Sequence, residues 1–319
     1  MTMNSFKEIG GYFGLEVDID NKNLPIHSLA LNTARNCIRY LIRTYNITKI
    51  HVPYYTCPVV FEAINQENCG IEFYHINECF VPEKTFSKND FILYTNYFGI
   101  CAKNVKNLAQ KYSNLIVDNA QAYYMPKCGL ASFNSARKFM GVPDGAFLQC
   151  DKLLNEFIEL DKTSIYRFSH LLKRVDTSAQ FGYEDYKNNE KTLENEGIKL
   201  MSNLTKALIN SHNSKIEKDK RLKNFNYLHK KLKDNNKLTI DLNKDDVPMV
   251  YPYLIKNGKI LKQKLIKNNI FVATYWNATN LNGIEQDFQD NLVALPIDQR
   301  YCLKDMELIL KHIQRFNVE

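Results

Sequence analysis

Lys138 stands in the stretch SARKFMGVPDGAFL, residues 135 to 148, directly after Arg137 and ahead of a Pro-Asp-Gly turn and a short apolar strand. A lysine at a strand end can form a Schiff base with a carbonyl and afterwards carry protons. Arg137 cannot, because its guanidinium stays protonated. Upstream, Asp118 follows the apolar run NLIV, so it projects from the carboxyl end of a buried strand, where open α/β sheets bind their ligands. Gln121 in the same VDNAQAYY segment is close enough to serve one ligand with Asp118 if the chain turns at once. The other use of such an aspartate is to cap the next helix.

A helix opens at NTARNC with Asn32 and Thr33 as capping candidates, and its free N–H groups at the positive end of the helix dipole suit a phosphate. Tyr54, Tyr55 and Tyr97 fall at strand ends, where a ring stacks on a planar cofactor or packs in the core. The set comprises a carboxylate for a ring nitrogen, a helix start for a phosphate, rings for stacking and a strand-end lysine. These are the groups that pyridoxal 5'-phosphate (PLP) demands.

The elements that must position these residues follow from periodicity. The first half alternates helical segments (Thr33 to Tyr45, CPVVFEAINQ, KNVKNLAQKY) with short, near-continuous apolar strands (KIHVP, GIEFYHI, DFILYTNYFG, NLIVDNAQ, GAFLQC). That pattern predicts an α/β domain with a mostly parallel sheet covered on both faces. Beyond it, helices are expected over 151–160, 187–212 and 215–235, with QFGYEDYKNNEK as a polar connection. The last third, with strands MVYPYLI and IFVATYW and helices GKILKQKLIKN and LKDMELILKHIQRF, reads as a small α+β domain. The expected division is a large domain over 1–185, then interdomain helices and the small domain over 186–319.

Composition excludes several classes. At 319 residues and 45% hydrophobic content the chain can bury a large core. No apolar run approaches the roughly 20 residues needed to cross a bilayer, and the start carries no secretion signal, so membrane insertion is not expected and a cytoplasmic location is. The net charge of +7 comes largely from residues 214–237, where Leu222, Phe225, Leu228 and Leu232 recur at helical spacing and leave the lysines on a solvated face. That arrangement argues against nucleic acid as a partner. Eight cysteines without a CxxC pair read as reduced thiols, and the seven histidines show no metal-ligand spacing, so no metal is expected.

Taken in order, IGGYFGLE, LNTARNCIRYLI, VPYYTCPVVFEAI, NYFG, VDNAQAYY, SFNSARKFMGVPDG, VPMVYPYLI, VATYW and LPIDQRY resemble the DegT/DnrJ/EryC1/StrS aminotransferases. Within them the chain is most similar to a branch with an RK-F-x-VPDG signature found among surface-polysaccharide genes. The resemblance covers nearly the whole chain. It implies the fold type I of PLP-dependent transferases, a homodimer, and transfer of an amino group from glutamate to a nucleotide-linked keto-sugar.

Carried over residue by residue, it implies that Asp118 pairs with the pyridinium nitrogen and that Gln121 packs by the ring and its phenolic oxygen. Thr33 and Ala34 would hold the phosphate together with Ser132 or Ser135; from its strand-end position, Tyr55 is expected to contact the cofactor as well. Counting from Ser132 by the family's spacing reaches Arg137, whereas counting back from the Asp-Gly turn reaches Lys138. Because only a lysine can form the Schiff base, Lys138 is the expected catalytic residue and Arg137 a contact for the phosphate of cofactor or substrate. No match is found to the asparagine with which the family reaches across the dimer. The rival reading is therefore a catalytically inactive PLP-fold protein serving as a binding or assembly subunit.

Overall fold

The computed structural model describes residues 14–17, 24, 25 and 27–318. Of the IGGYFGLE stretch, all but Gly14, Leu15 and Glu16 lies outside them. The first half forms β1 (Leu29–Leu31), α1 (Ala34–Tyr45), β2 (Lys49–Pro53), α2 (Pro58–Asn65), β3 (Gly70–Tyr74), β4 (Phe91–Thr95), α3 (Ala102–Lys111), β5 (Leu115–Asn119), β6 (Ala131–Asn134) and β7 (Ala146–Cys150). These strands make one seven-stranded sheet in the order β1-β7-β6-β5-β4-β2-β3. From β3 through β6 the neighbours run parallel, whereas β7 opposes both β6 and β1.

Near-continuous apolar strands fit this arrangement because both faces are covered. On one face Ile38, Leu41, Val60 and Ile64 of α1 and α2 pack against Ile50, Leu93 and Ile116. On the other, Val105 and Leu108 of α3 pack against Ile92, Tyr94 and Val117. Helix α1 begins where Thr33 caps it, the hydroxyl accepting the Asn36 N–H at 3.2 Å, and ends at Asn46 in the left-handed region, φ 52°. Its first turn therefore sits at the carboxyl edge of the parallel strands.

The second half contributes α4 (Ser169–Asp176), α5 (Tyr183–Glu194), α6 (Asn203–Asn210), α7 (Ser214–Leu232), β8 (Val250–Leu254), α8 (Gly258–Lys267), α9 (Gly283–Asn291), β9 (Leu292–Pro296) and α10 (Leu303–Val318). Strands β8 and β9 pair antiparallel, and a separate core gathers Phe225, Leu228, Leu261, Val293, Met306 and Ile313 around them. In α7 Phe225, Leu228 and Leu232 are buried as the periodicity predicts, Leu222 is half-buried, and Arg221 joins the buried stripe. The expected division at 185/186 falls inside α5.

Three expected elements differ, each because a tertiary partner outweighs local propensity. Residues 151–160 form no helix: the Leu200 N–H donates to Glu159 O at 2.8 Å and the Asp161 N–H to Leu200 O at 2.9 Å, so the backbone finds its partners in extended form. The helix expected over 187–212 is split into α5 and α6, with the supposed polar connection supplying the start of α5. Between them the chain lies along β1, where the Asn32 N–H donates to Lys199 O and the Met201 N–H to Ala30 O, at 2.9 and 3.0 Å. IFVATYW forms no strand, since the place beside β8 belongs to LVALP in β9.

Candidate active site

At the carboxyl edge of the sheet, Thr33 and Ala34 from α1, Asp118 from β5, and Ser135, Arg137 and Lys138 from the segment after β6 line one cavity of about 90 Å³. Helix α5 closes it with Glu190. Because Thr33 takes up the Asn36 N–H, the amides of Ala34 and Arg35 are the ones left at the helix's open end, where geometry gives them no intrahelical acceptor. A roomier cavity of about 210 Å³ lies by Lys84, Asn104 and Lys111, but no carboxylate lines it.

The segment carrying Lys138 is held from both ends. It forms a short helical turn, with the Phe139 N–H donating to Ala136 O at 2.9 Å. It closes where the Ala136 N–H donates to Gly145 O at 3.0 Å and the Gly145 N–H to Asn32 O at 2.6 Å. Gly145 has φ +101°, and a Cβ there would meet Thr205 Cγ2 at 2.9 Å and Met201 Cε at 3.1 Å, so the Asp-Gly turn needs its glycine.

Asp144 of that turn accepts from Arg167 at 2.8 Å and from the Thr205 hydroxyl at 2.7 Å. Arg167 in turn reaches Asp161 at 2.7 Å and Glu196 at 2.6 Å, so one guanidinium holds three carboxylates, of which Asp144 and Asp161 are buried and Glu196 is half-buried. On the other side the Phe139 carbonyl accepts from Gln299 at 2.6 Å and Arg221 at 3.4 Å, and the Arg221 guanidinium lies 4.5 Å from the centre of the Phe139 ring.

Electrostatics single out two carboxylates. Burial pushes the Asp118 carboxyl above its usual range, opposed by the charge of Lys138 and by the Ala120 N–H that donates to it at 2.8 Å. Burial works the same way on Glu190, but there the Arg137 guanidinium outweighs it and holds the carboxyl below the usual range. The two form a bidentate pair, with Nη2 to Oε2 at 2.6 Å and a second bond from Nη1 to Oε1. Burial lowers the pKa of Arg35, which spans from the cavity to Leu193 O at 2.8 Å.

Of the residues singled out in the sequence, Thr33, Ala34, Asp118, Ser135, Arg137 and Lys138 meet at the cavity. Ser132 and Tyr55 do not. Successive strand residues alternate in direction, so Phe133 and Ser135 share the cavity side while the Ser132 hydroxyl turns to Gln149, 3.5 Å away. The Tyr55 ring is fully buried in the core on the face away from α1, packed on Tyr97, Trp276 and Phe288, and its hydroxyl donates to Tyr275 O. Gln121 is not among the lining residues: its Oε1 accepts the Phe98 N–H at 2.8 Å, and its buried Nε2 has no partner among the described residues.

Arg35, Glu190 and the Asp144–Arg167 cluster carry no local pattern that marks them as site residues, Glu190 excepted. For Glu190 a signal exists, since Tyr186, Glu190 and Leu193 share one face of a helical period; the polar composition of that stretch masked it.

No protein-family model and no curated protein matches the chain. Solved structures do match in fold. A DegT DnrJ EryC1 StrS aminotransferase from Brucella abortus aligns at 14% identity and TM-score 0.60, over 91% of this chain and 86% of its own. The ntda protein of Bacillus subtilis, solved with the cofactor PMP bound, aligns at 14% identity and TM-score 0.63, over 90% and 73%. Helicobacter pylori PseC, an aminotransferase involved in the biosynthesis of pseudoaminic acid, aligns at 17% identity and TM-score 0.62, over 91% and 86%. The likeness is one of fold, and the fold is that of the PLP-dependent aminotransferases.

Proposed function

We propose that the protein is a PLP-dependent aminotransferase that moves an amino group from glutamate to a nucleotide-linked keto-sugar in surface-polysaccharide biosynthesis. The observation that carries this reading is the meeting of Asp118 and Lys138 at one cavity beside the start of α1. The residues there fit PLP in kind: a buried carboxylate, a lysine, a capped helix start with a serine, and the partnerless buried Nε2 of Gln121 close behind Asp118 in sequence. PLP, when bound, supplies the electron sink that lets a proton leave the carbon bearing the amine.

In this reading Asp118 keeps a proton on the ring nitrogen. Gln121, its amide orientation set by the Phe98 N–H, would leave Nε2 as a donor for the cofactor when it is bound. Thr33, Ala34 and Ser135 hold the phosphate through the helix amides and hydroxyls, and Arg137 adds charge. Lys138 anchors the cofactor through its amine and then carries the proton to and from the substrate carbon. The Asp144–Arg167 cluster and the bonds to the Phe139 carbonyl keep Lys138 at its station.

The homodimer belongs to the same reading. Between residues 153 and 186 the surface carries Phe157 at 95%, Val175 at 89% and Tyr166 at 81% exposure, far more apolar exposure than an isolated chain needs. Free cysteines at all eight positions accord with a reducing, cytoplasmic setting. We take the large domain to run through α5 and the small one to begin near α7, whose buried stripe supplies part of the second core.

The test is to load the protein with PLP, add glutamate, and assay 2-oxoglutarate release and amination of a panel of nucleotide keto-sugars. Release of 2-oxoglutarate with transfer to a sugar supports the reading. PLP binding without turnover by any donor favours the inactive assembly subunit instead.

A further inference from the structure

The cationic end of the cavity already contains an anion. Arg137, Lys138 and Arg35 line it, and into them α5 inserts the Glu190 carboxylate, in bidentate contact with Arg137. Helix α5 is not loosely placed. The Asn189 side chain donates to Pro143 O at 2.9 Å in the turn after Lys138, and Arg35 donates to Leu193 O at 2.8 Å, so Glu190 is delivered to this spot by fixed backbone.

Glu190 is only partly covered, with 32% of its side chain exposed, which leaves it a direction in which to withdraw. The free space beside it, about 90 Å³, is narrow for a ring bearing a phosphate. Arg35 and Lys138 also act on the Glu190 carboxyl, so its counterions are the same groups that would receive a phosphate.

We infer that Glu190 is a built-in competitor for the phosphate site: its carboxylate occupies Arg137 until a phosphate monoester displaces it and takes over the guanidinium. This inference rests on the reading of the cavity as the PLP site. A phosphate carries about 1.5 to 2 negative charges at neutral pH and three acceptor oxygens, against the single charge of a carboxylate, so it can win Arg137 where a carboxylate ligand cannot. Glu190 thereby makes the site selective for dianions.

The test compares wild type with E190Q, E190A and R137Q, titrating each with inorganic phosphate by calorimetry and with PLP and pyridoxal by visible absorbance, after melts show that each variant is folded. Removing the competing charge should tighten phosphate and PLP binding by about tenfold in both Glu190 variants, while pyridoxal, which lacks the phosphate, binds unchanged. R137Q should weaken phosphate and PLP. Phosphate binding that is unchanged or weaker in E190Q and E190A would overturn the inference and make Glu190 a brace that orients Arg137. Should PLP produce no absorbance change with any form while phosphate still binds more tightly to E190Q, the cofactor reading fails and the competitor survives.

Discussion

Asp118 on β5 and Lys138 in the helical turn that follows β6 reach one cavity, and the ammonium charge is the largest influence opposing the burial that pushes the Asp118 carboxyl up. A carboxyl raised in the folded state favours folding in its neutral form. That contribution is present below the ordinary carboxylate pKa and is lost as pH rises through the folded value. Cofactor-free D118N should therefore melt above wild type at neutral pH, and the gap should close in acid; thermal melts across pH check this. The same variant should lose about a hundredfold in PLP-supported turnover, because the amide cannot hold the ring proton as an ion pair.

K138A should lose turnover by about a thousandfold or more, since the proposed function makes one amine both anchor and proton carrier. Far-UV circular dichroism should be unchanged, because the main chain of this segment is tied through Ala136, Phe139 and Gly145 rather than through the lysine side chain. Steady-state kinetics on PLP-loaded protein gives the answer.

The parallel sheet was legible because its strands are near-continuous apolar runs, and the placing of Asp118 and Thr33 at one edge of it follows from strand ends and helix starts, whereas Lys138 is singled out by the resemblance and by counting back from the Asp-Gly turn. Ser132 against Ser135 was not, because the choice depends on the alternation of β6, a strand too short and too mixed (ASFN) to stand out. Tyr55 was misplaced for a related reason: a strand-end ring can turn to either face of the sheet, and it joins the core opposite α1. Glu190 sits on a helix whose polar sequence resembles a loop, and its partner Arg137 lies far away along the chain. The segments around residues 155 and 198 escaped because their backbone partners are each other and β1, which no local pattern reveals.

R167M should lower stability by about 3–5 kcal/mol, since it leaves Asp144, Asp161 and Glu196 without their shared counterion. Chemical denaturation measures the loss. Because Asp144 anchors the turn after Lys138, the surviving folded protein should, on the proposed function, also bind PLP more weakly.

Wild type is expected to sediment as the proposed dimer, and glutamate substitutions at Phe157 and Val175 should give monomers, as charge on a surface this apolar disfavours its burial against a second copy.

On the proposed function Lys138 is the residue that holds PLP, and chemical trapping tests this directly. Purified protein is mixed with PLP, reduced with borohydride, digested, and the pyridoxyl group located by peptide mass mapping. The modification is expected on Lys138 and absent in K138A. A pyridoxyl group on another lysine, or on none, would contradict this expectation.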